Sequence, residues 1–124
     1  MTVALVTGGA RRIGRAVASD LAAHGHAVAI HCNRSRAEAE ALGADLAERH
    51  GVATAVVDAD LADPEAVATI VPRAEAALGP VTLLVNNASL YETDTAETFD
   101  PAFFAAHVTV NATAPAMLAR DLAA

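Results

Sequence analysis

The stretch from Val3 to Gly14 decides how this chain folds, and it reads VALVTGGARRIG. Its first four residues form an apolar run, which is typical of a short strand buried on both faces of a sheet. Two glycines follow and let the backbone turn sharply. Ile13, Val17 and Leu21 then recur at helical spacing. The stretch therefore predicts a strand that passes through a glycine-rich turn directly into a helix.

The rest of the chain repeats this order three more times. Apolar runs at 27–30, 52–57 and 81–85 predict strands, and a helical pattern follows each of them. Strands that alternate with helices predict an α/β fold, a doubly wound parallel sheet of four strands with flanking helices, in one domain over residues 1–124. We expect the fourth strand at an exposed edge, because no later strand follows it.

Several residues mark where the helices begin and end. Ser35 and Glu38 fit a capping box at the start of the second helix. Asp63 and Asp100 each precede a proline, which is the pattern of an N-cap followed by proline at the first helical position. We expect a single helix after Asp63 and a kink or break at Pro115 in the last helix.

The composition argues against several classes of function. The formal net charge is −7, and no run of basic residues occurs, so a nucleic-acid partner is not expected. All eight basic residues are arginine, and the chain contains no lysine. The absence of lysine excludes a Walker-type phosphate loop, which requires Gly-Lys followed by Ser or Thr.

The remaining composition points to a reducing compartment. Cys32 is the only cysteine, so no intramolecular disulfide forms. The histidines show no zinc-type spacing with Cys32 or with each other, and we expect no metal site. The apolar start at Val3–Val6 is too short for a signal peptide or a membrane span. We therefore expect a cytoplasmic protein that does not bind a membrane.

The glycine-rich turn suits the diphosphate of a dinucleotide. The helix that it opens presents free N–H groups and a partial positive charge to an anion. The alternative is an ordinary glycine-rich turn between a strand and a helix. The motif TGGARRIG resembles the cofactor motif of short-chain dehydrogenases/reductases, which have a Rossmann fold. The resemblance implies cofactor contacts from Thr7, Gly8, Arg11, Arg12, Ile13 and Gly14.

Arg12 departs from the usual form of that motif. It stands where the family usually has its middle glycine. The pteridine reductase-like branch also has an arginine there, beside the cofactor phosphates and the pterin site. The departure therefore resembles a marker of that branch.

The segment after the second strand predicts the type of nucleotide. His31 to Ser35 reads HCNRS and contains no acid to accept a hydrogen bond from a ribose 2′-hydroxyl. Arg34 and Ser35 suit a 2′-phosphate instead, which predicts NADP(H). The alternatives are a solvated arginine and a serine that only caps its helix. The segment resembles His-x-x-Arg-Ser of pteridine reductases, which implies cofactor contacts from His31, Asn33, Arg34 and Ser35.

Two further segments resemble cofactor motifs of the same family. Asp58 to Leu61 reads DADL, and the resemblance implies that Asp60 and Leu61 lie against the adenine. An ordinary turn role for Asp60 is the alternative. Asn86 to Ser89 reads NNAS where the family has Asn-Asn-Ala-Gly, which implies that Asn87, Ala88 and Ser89 line the cofactor channel.

Tyr91 and Asn111 are the candidates for substrate binding and catalysis. In the pteridine reductase-like branch an aromatic residue at the place of Tyr91 stacks on the pterin; a surface loop tyrosine is the alternative. In the family the asparagine corresponding to Asn111 is catalytic and holds a water for proton relay. An asparagine that bonds locally where the helix breaks near Pro115 is the alternative.

The resemblance covers the N-terminal half of the family and implies an NADPH-dependent reductase of a pteridine or a similar carbonyl or imine. The family's catalytic tyrosine and lysine are absent, because Tyr91 is the only tyrosine and there is no lysine. We therefore expect this chain alone to be inactive. A 3-oxoacyl or sugar carbonyl reductase and a non-catalytic NADP-binding module stay open. The expected partners are a small-molecule substrate and, in a full-length form, further copies in a dimer or tetramer.

Overall fold

The computed structural model describes residues 2–124 and confirms the alternation of strands and helices. The four strands are β1 Val3–Val6, β2 Ala27–Cys32, β3 Thr54–Asp58 and β4 Val81–Val85. The helices are α1 Arg12–Ala23, α2 Arg36–His50, α3 Pro64–Val67, α4 Ile70–Leu78, α5 Pro101–Val108 and α6 Ala114–Ala123, and a π-helical turn at Thr109–Thr113 joins the last two.

The four strands form one parallel sheet in the order β3-β2-β1-β4. This order places β1 and β2 in the middle, and every residue of both strands is buried. Within residues 2–124, β4 pairs on one side only, so its predicted position at an edge is confirmed. The fold is the predicted doubly wound α/β fold, with the strand order of half a Rossmann domain.

Helices cover both faces of the sheet, which gives two apolar cores. On one face, α1 and α2 pack against β1 and β2 through Ala18, Leu42, Leu46, Val28 and Ile30. On the other face, α3, α4 and α6 pack against the same strands through Val67, Ile70, Ala74, Leu118 and Leu5. Small and branched side chains fill both layers, as the low aromatic content predicts.

All three predicted helix starts are confirmed, but one of the predicted caps does not form. The carboxylates of Asp63 and Asp100 accept hydrogen bonds from the N–H groups two residues on and cap α3 and α5. The capping box of α2 does not form. The Ser35 hydroxyl makes no cap bond, and the Glu38 carboxylate binds Arg11 instead.

The predicted single helix after Asp63 is two helices, α3 and α4, separated at Ala68 and Thr69. Pro72 explains the interruption, because proline has no N–H for the carbonyl of Ala68 and its ring collides with that carbonyl. The Thr69 hydroxyl donates to the Ala66 carbonyl at 2.7 Å, which satisfies one acceptor at the break.

The last helical segment continues through the π-helical turn rather than breaking. Pro115 lies just after that turn, and it has no N–H for the carbonyl of Asn111, four residues earlier. Taken as one unit, residues 101–123 are long and apolar enough to cross a membrane by length and composition alone. Only 11% of the tested window in this segment is buried, and its C-terminal part packs on the sheet through Ala114 and Leu118.

Candidate nucleotide-binding groove

A groove runs along the carboxyl ends of the strands, where ligands bind in open parallel sheets. It consists of three adjoining cavities of about 490, 310 and 130 Å³, and Gly8 lines all three. We call them the turn cavity, the central cavity and the β2 cavity. The turn cavity lies over Ile13 and Ser89, and the β2 cavity lies beside Ser35. All predicted cofactor residues line this groove except Thr7 and Gly14.

Gly14 lies beneath the groove and lets α1 begin close to the turn. A Cβ atom at Gly14 would lie 2.0 Å from the Gly8 carbonyl oxygen and 2.6 Å from the Asn87 side-chain nitrogen. Real Cβ atoms do not approach so closely, so only glycine fits there. Gly8 itself has a φ of +61°, in the left-handed region that favours glycine. Gly14 thus shapes the turn, and the structure does not place it in the groove wall.

Thr7 also lies beneath the groove, where it joins β1 to the end of β4. Its hydroxyl accepts hydrogen bonds from the N–H groups of Asn87 and Ala88, both at 3.0 Å. The Asn87 amide donates back to the Thr7 carbonyl at 3.1 Å. The Thr7 side chain is buried and contacts the end of β4, so its predicted contact with the cofactor stays a prediction. It holds together two walls of the groove.

His31 supports the turn from below through both ring nitrogens. Nδ1 accepts a hydrogen bond from the Gly8 N–H at 3.1 Å, and Nε2 lies 2.9 Å from the Ala59 carbonyl oxygen. An amide N–H only donates and a carbonyl only accepts, so the ring must be neutral with its proton on Nε2. Burial lowers the pKa of His31, in agreement with the neutral form.

Arg12 adopts a backbone conformation that ordinarily belongs to glycine. Its φ is +52°, and no other non-glycine residue among 2–124 has a positive φ. A left-handed conformation costs a residue with a Cβ about 1 kcal/mol. This explains why glycine suits the position and shows that an arginine there is held against local preference. The side chain is exposed and lines the turn cavity.

The β2 cavity brings together the residues predicted to bind a 2′-phosphate. Arg11, Asn33, Arg34 and Ser35 line it, at the end of β2 and the start of α2. Arg34 is exposed and makes no ion pair or hydrogen bond with any residue of 2–124. The Ser35 hydroxyl is likewise uncommitted in this part of the chain. Two arginines, a serine and a free helix start provide donors for an anion.

The central cavity contains the other predicted cofactor residues. Asp60 and Leu61 lie opposite Ala88 and Ser89 across this cavity. The Asp60 carboxylate accepts a hydrogen bond from the Ala62 N–H at 2.9 Å. This is the local turn role that the sequence left open, and it still leaves the other carboxylate oxygen exposed to the cavity.

Tyr91 and Asn111 lie away from the groove wall. Tyr91 is 85% exposed and lines a separate cavity with Phe103, Phe104 and His107. The Asn111 amide accepts from the Leu90 N–H and donates to the Leu90 carbonyl, both at 2.8 Å. Asn111 therefore fixes the segment after β4 onto the π-helical turn, and its role in proton relay stays a prediction.

Comparisons with known proteins agree with this geometry. The family model described as short chain dehydrogenase matches residues 2–124. The chain belongs to the short-chain dehydrogenase family. Among curated proteins, pteridine reductase 1 of Leishmania tarentolae is 49% identical over 47 residues, 38% of this chain and 16% of that protein. The short-chain dehydrogenase/reductase homolog YusS of Bacillus subtilis is 35% identical over 88 residues, 71% of this chain and 80% of that protein.

Solved structures of other short-chain dehydrogenases have the same fold. FolM alternative dihydrofolate reductase 1 of Brucella canis, complexed with NADP, has a TM-score of 0.92 at 45% identity, over 98% of this chain and 48% of that one. A short-chain dehydrogenase of Burkholderia cenocepacia, also in complex with NADP, has a TM-score of 0.93 at 37% identity, over 98% and 49%. The chain spans about half the length of these solved relatives.

Glu38 belongs to the site, although its spacing from Ser35 predicts a role in capping α2. Glu38 fits a capping box by its spacing from Ser35, but its carboxylate forms a two-point ion pair with Arg11 across the turn. The two residues are 27 positions apart, so no local pattern reveals the contact. No signal in the sequence pairs these two residues, because an exposed arginine is also stable in water without a counter-charge.

Proposed function

We propose that this chain binds NADP(H) and provides the cofactor-binding part of an NADPH-dependent reductase. The observation that carries the proposal is the continuous groove from the turn cavity to the β2 cavity, which Gly8 lines throughout and arginines line at its two ends. Phosphate binding at a helix start after a glycine-rich turn is the usual way in which this fold holds a dinucleotide. Two similar short-chain dehydrogenases were crystallised with NADP, which supports the same ligand here.

The β2 cavity supports NADP(H) over NAD(H). A carboxylate facing the ribose would accept from the 2′-hydroxyl of NAD(H) and would repel a 2′-phosphate. No acidic residue lines the β2 cavity, and Arg34 is exposed there without a counter-ion in residues 2–124. The arginine fork can bind phosphate oxygens with two hydrogen bonds.

The substrate proposal is a pteridine or a related compound with a carbonyl or imine bond. Similarity to pteridine reductase 1 and to FolM alternative dihydrofolate reductase supports it. Arg12 in its left-handed conformation also supports it, because the resembled branch has arginine at this place. The bound cofactor would supply the hydride, and Leu90, which Asn111 holds by hydrogen bonds, lines the central cavity where a substrate could lie.

The second candidate is a non-catalytic NADP-binding module. The observation that favours it is the lack of lysine, together with a lone Tyr91 that lies outside the groove.

A titration of the chain with NADPH and NADH, followed by the fluorescence of the reduced nicotinamide, tests the proposal. We expect NADPH to bind at least about tenfold more tightly, since one charge-assisted phosphate contact has that effect. Arg34→Ala should remove most of the preference. The matched control is Arg49→Ala, because Arg49 pairs with Asp45 on the exposed side of α2 and should leave binding unchanged. Equal or tighter binding of NADH would refute the NADP(H) assignment.

Turnover separates the two candidates. The chain should not oxidise NADPH in the presence of dihydrobiopterin or dihydrofolate, because the tyrosine–lysine pair is absent. A longer form of the protein that contains Tyr-x-x-x-Lys should do so, and 3-oxoacyl thioesters should be poorer substrates. Absence of NADPH oxidation with every substrate in such a longer form would favour the binding module.

A further inference from the structure

We propose that Glu38 is a specificity-determining positioning residue, whose carboxylate holds the Arg11 guanidinium along the wall of the β2 cavity for the 2′-phosphate of NADP(H). This inference rests on the proposed function. Glu38 would not contact the nucleotide and would act through Arg11. The juxtaposition that carries it is a two-point ion pair between the turn and α2, at the rim of a cavity built from basic and hydroxyl side chains.

The geometry of the pair leaves Arg11 able to bind a second anion. Arg11 Nε donates to Glu38 Oε2 at 2.9 Å, and Nη2 donates to Oε1. Nη1 makes no hydrogen bond with residues 2–124. A guanidinium has five N–H donors in a fixed plane, so one edge can be held by a carboxylate while the other faces a phosphate.

The lining of the cavity places the two partners on different sides. Arg11 lines the β2 cavity together with Arg34 and Ser35, whereas Glu38 does not. The guanidinium of Arg11 therefore borders the space for the phosphate, while its carboxylate partner is not among the residues that line this space. This arrangement fits a support for Arg11 better than a competitor for its ligand.

Both charges are stabilised in the pair. The hydrogen bond with Glu38 raises the pKa of Arg11, and the same bond lowers the pKa of Glu38. Arg15 is a second positive charge that acts on Glu38. The carboxylate of Glu38 is therefore ionised near neutral pH, where the ion pair with Arg11 is present.

Because Glu38 pairs with Arg11, it leaves the hydrogen-bonding groups at the start of α2 without a capping partner. In a capping box, Glu38 would reach back to the N–H of Ser35, and the Ser35 hydroxyl would bond to the N–H of Glu38. Neither bond forms, so the hydroxyl and the first N–H groups of α2 remain free at the rim of the β2 cavity. One side chain therefore orients an arginine and leaves further donors for the same anion.

The experiment measures dissociation constants of NADPH and NADH for the full chain in about 0.15 M salt. The test variant is Glu38→Gln, which removes the charge and keeps the shape. Its matched control is Glu40→Gln, because Glu40 lies on the same helix and pairs with Arg36 away from the cavity. Arg11→Ala and the double variant Arg11→Ala/Glu38→Gln complete a cycle that detects action through Arg11. The substituted residues all belong to exposed pairs, so the variants should fold.

We expect Glu38→Gln to raise the dissociation constant of NADPH about two- to fivefold, which corresponds to the free energy of an exposed ion pair. The dissociation constant of NADH should stay unchanged. Glu40→Gln should change neither, and Glu38→Gln should have no further effect once Arg11 is alanine. The inference is wrong if Glu38→Gln leaves NADPH binding unchanged or makes it tighter. It is also wrong if NADH binding weakens equally, or if the effect of Glu38→Gln persists when Arg11 is alanine. If the wild-type chain prefers NADPH and Glu38→Gln binds NADPH as tightly as the wild type, only this inference is wrong. If the wild-type chain binds neither nucleotide, both the proposed function and this inference are wrong.

Discussion

The glycine-rich corner between β1 and α1 and the segment from Leu90 to Val108 lie on the same side of the sheet but are built differently. In the corner, Thr7 and His31 are almost completely buried, and every hydrogen-bonding atom of their side chains has a partner. In the segment, Tyr91 and Phe104 are 85% and 56% exposed, and α5 has no buried residue. The contrast teaches that the corner is tightly packed and hydrogen-bonded within residues 2–124 whereas the segment is not, so substitutions should have large effects in the corner and small ones in the segment.

The largest effect should come from Gly14→Ala. The new methyl would collide with the Gly8 carbonyl oxygen, which is backbone and cannot move without opening the turn. We expect the free energy of unfolding to fall by about 3 kcal/mol and nucleotide binding to be lost. Urea unfolding of both proteins measures this.

The control for Gly14→Ala is Gly25→Ala. Gly25 also lies in a turn and has a φ of +91°. No atom outside its chain neighbours lies within 4 Å of the position that an alanine Cβ would occupy. Alanine there would therefore strain the backbone but would not collide with another residue. We expect a loss of about 1 kcal/mol and unchanged nucleotide binding. Similar losses for the two variants would contradict the close approach at Gly14.

The second effect is a dependence of stability on pH that His31 causes. Its pKa in the folded chain is lowered from 6.5 by burial, so the unfolded chain binds the proton more readily. The stabilisation is therefore complete above pH 6.5 and is lost as the pH falls below that value, with a slope of at most about 1.4 kcal/mol per pH unit. Urea unfolding between pH 5 and 8 measures the slope.

Two variants assign that slope. His31→Gln should lower stability at pH 8 by about 1–2 kcal/mol, because the two hydrogen bonds are lost or weakened, and should flatten the decline below pH 6.5. His24→Gln is the control, because the side chain of His24 is 70% exposed at the end of α1, and the decline should persist in that variant. A decline that is unchanged in His31→Gln would show that His31 is not its source.

The third effect should be a gain in stability from Arg12→Gly. Glycine adopts the φ of +52° without a Cβ penalty, so we expect the free energy of unfolding to rise by about 1 kcal/mol. Binding of NADPH should weaken at the same time, because a positive charge in the turn cavity is removed. Thermal unfolding and NADPH titration separate the two. A variant that is less stable than the wild type would show that Arg12 is not strained.

The smallest effect should come from Tyr91→Ala. Its ring is exposed and makes no hydrogen bond within residues 2–124, so stability should change by less than about 0.5 kcal/mol. NADPH binding should also stay the same, because Tyr91 does not line the groove. A clear loss of NADPH affinity would show that the segment folds over the groove when the nucleotide is bound.

The sequence predicts the fold well because its signals are local and repeated. The apolar runs, Asp63 and Asp100 locate the strands and helix starts through patterns within a few residues. It predicts the end of α3 poorly, because the helical spacing continues past the break that Pro72 causes at a carbonyl four residues earlier. It predicts which residues surround the groove, since the carboxyl ends of parallel strands meet at one edge.

The sequence does not predict which of those residues face the ligand and which support them. Thr7 and Gly14 belong to the motif but lie beneath the groove, and His31 is fixed between two loops rather than at the surface. Glu38 and Asn111 bind residues 27 and 21 positions away. Such contacts depend on how close two loops come, which no periodicity records.

By itself, the sequence determined the alternation of strands and helices, the glycine-rich turn and the absence of a lysine. These follow from side-chain size, backbone freedom and composition, which act within a few residues. Only the tertiary structure decided that His31 is neutral, that Arg12 is left-handed and that Glu38 holds Arg11. Each of these depends on the distance between atoms far apart in the chain, and folding alone sets that distance.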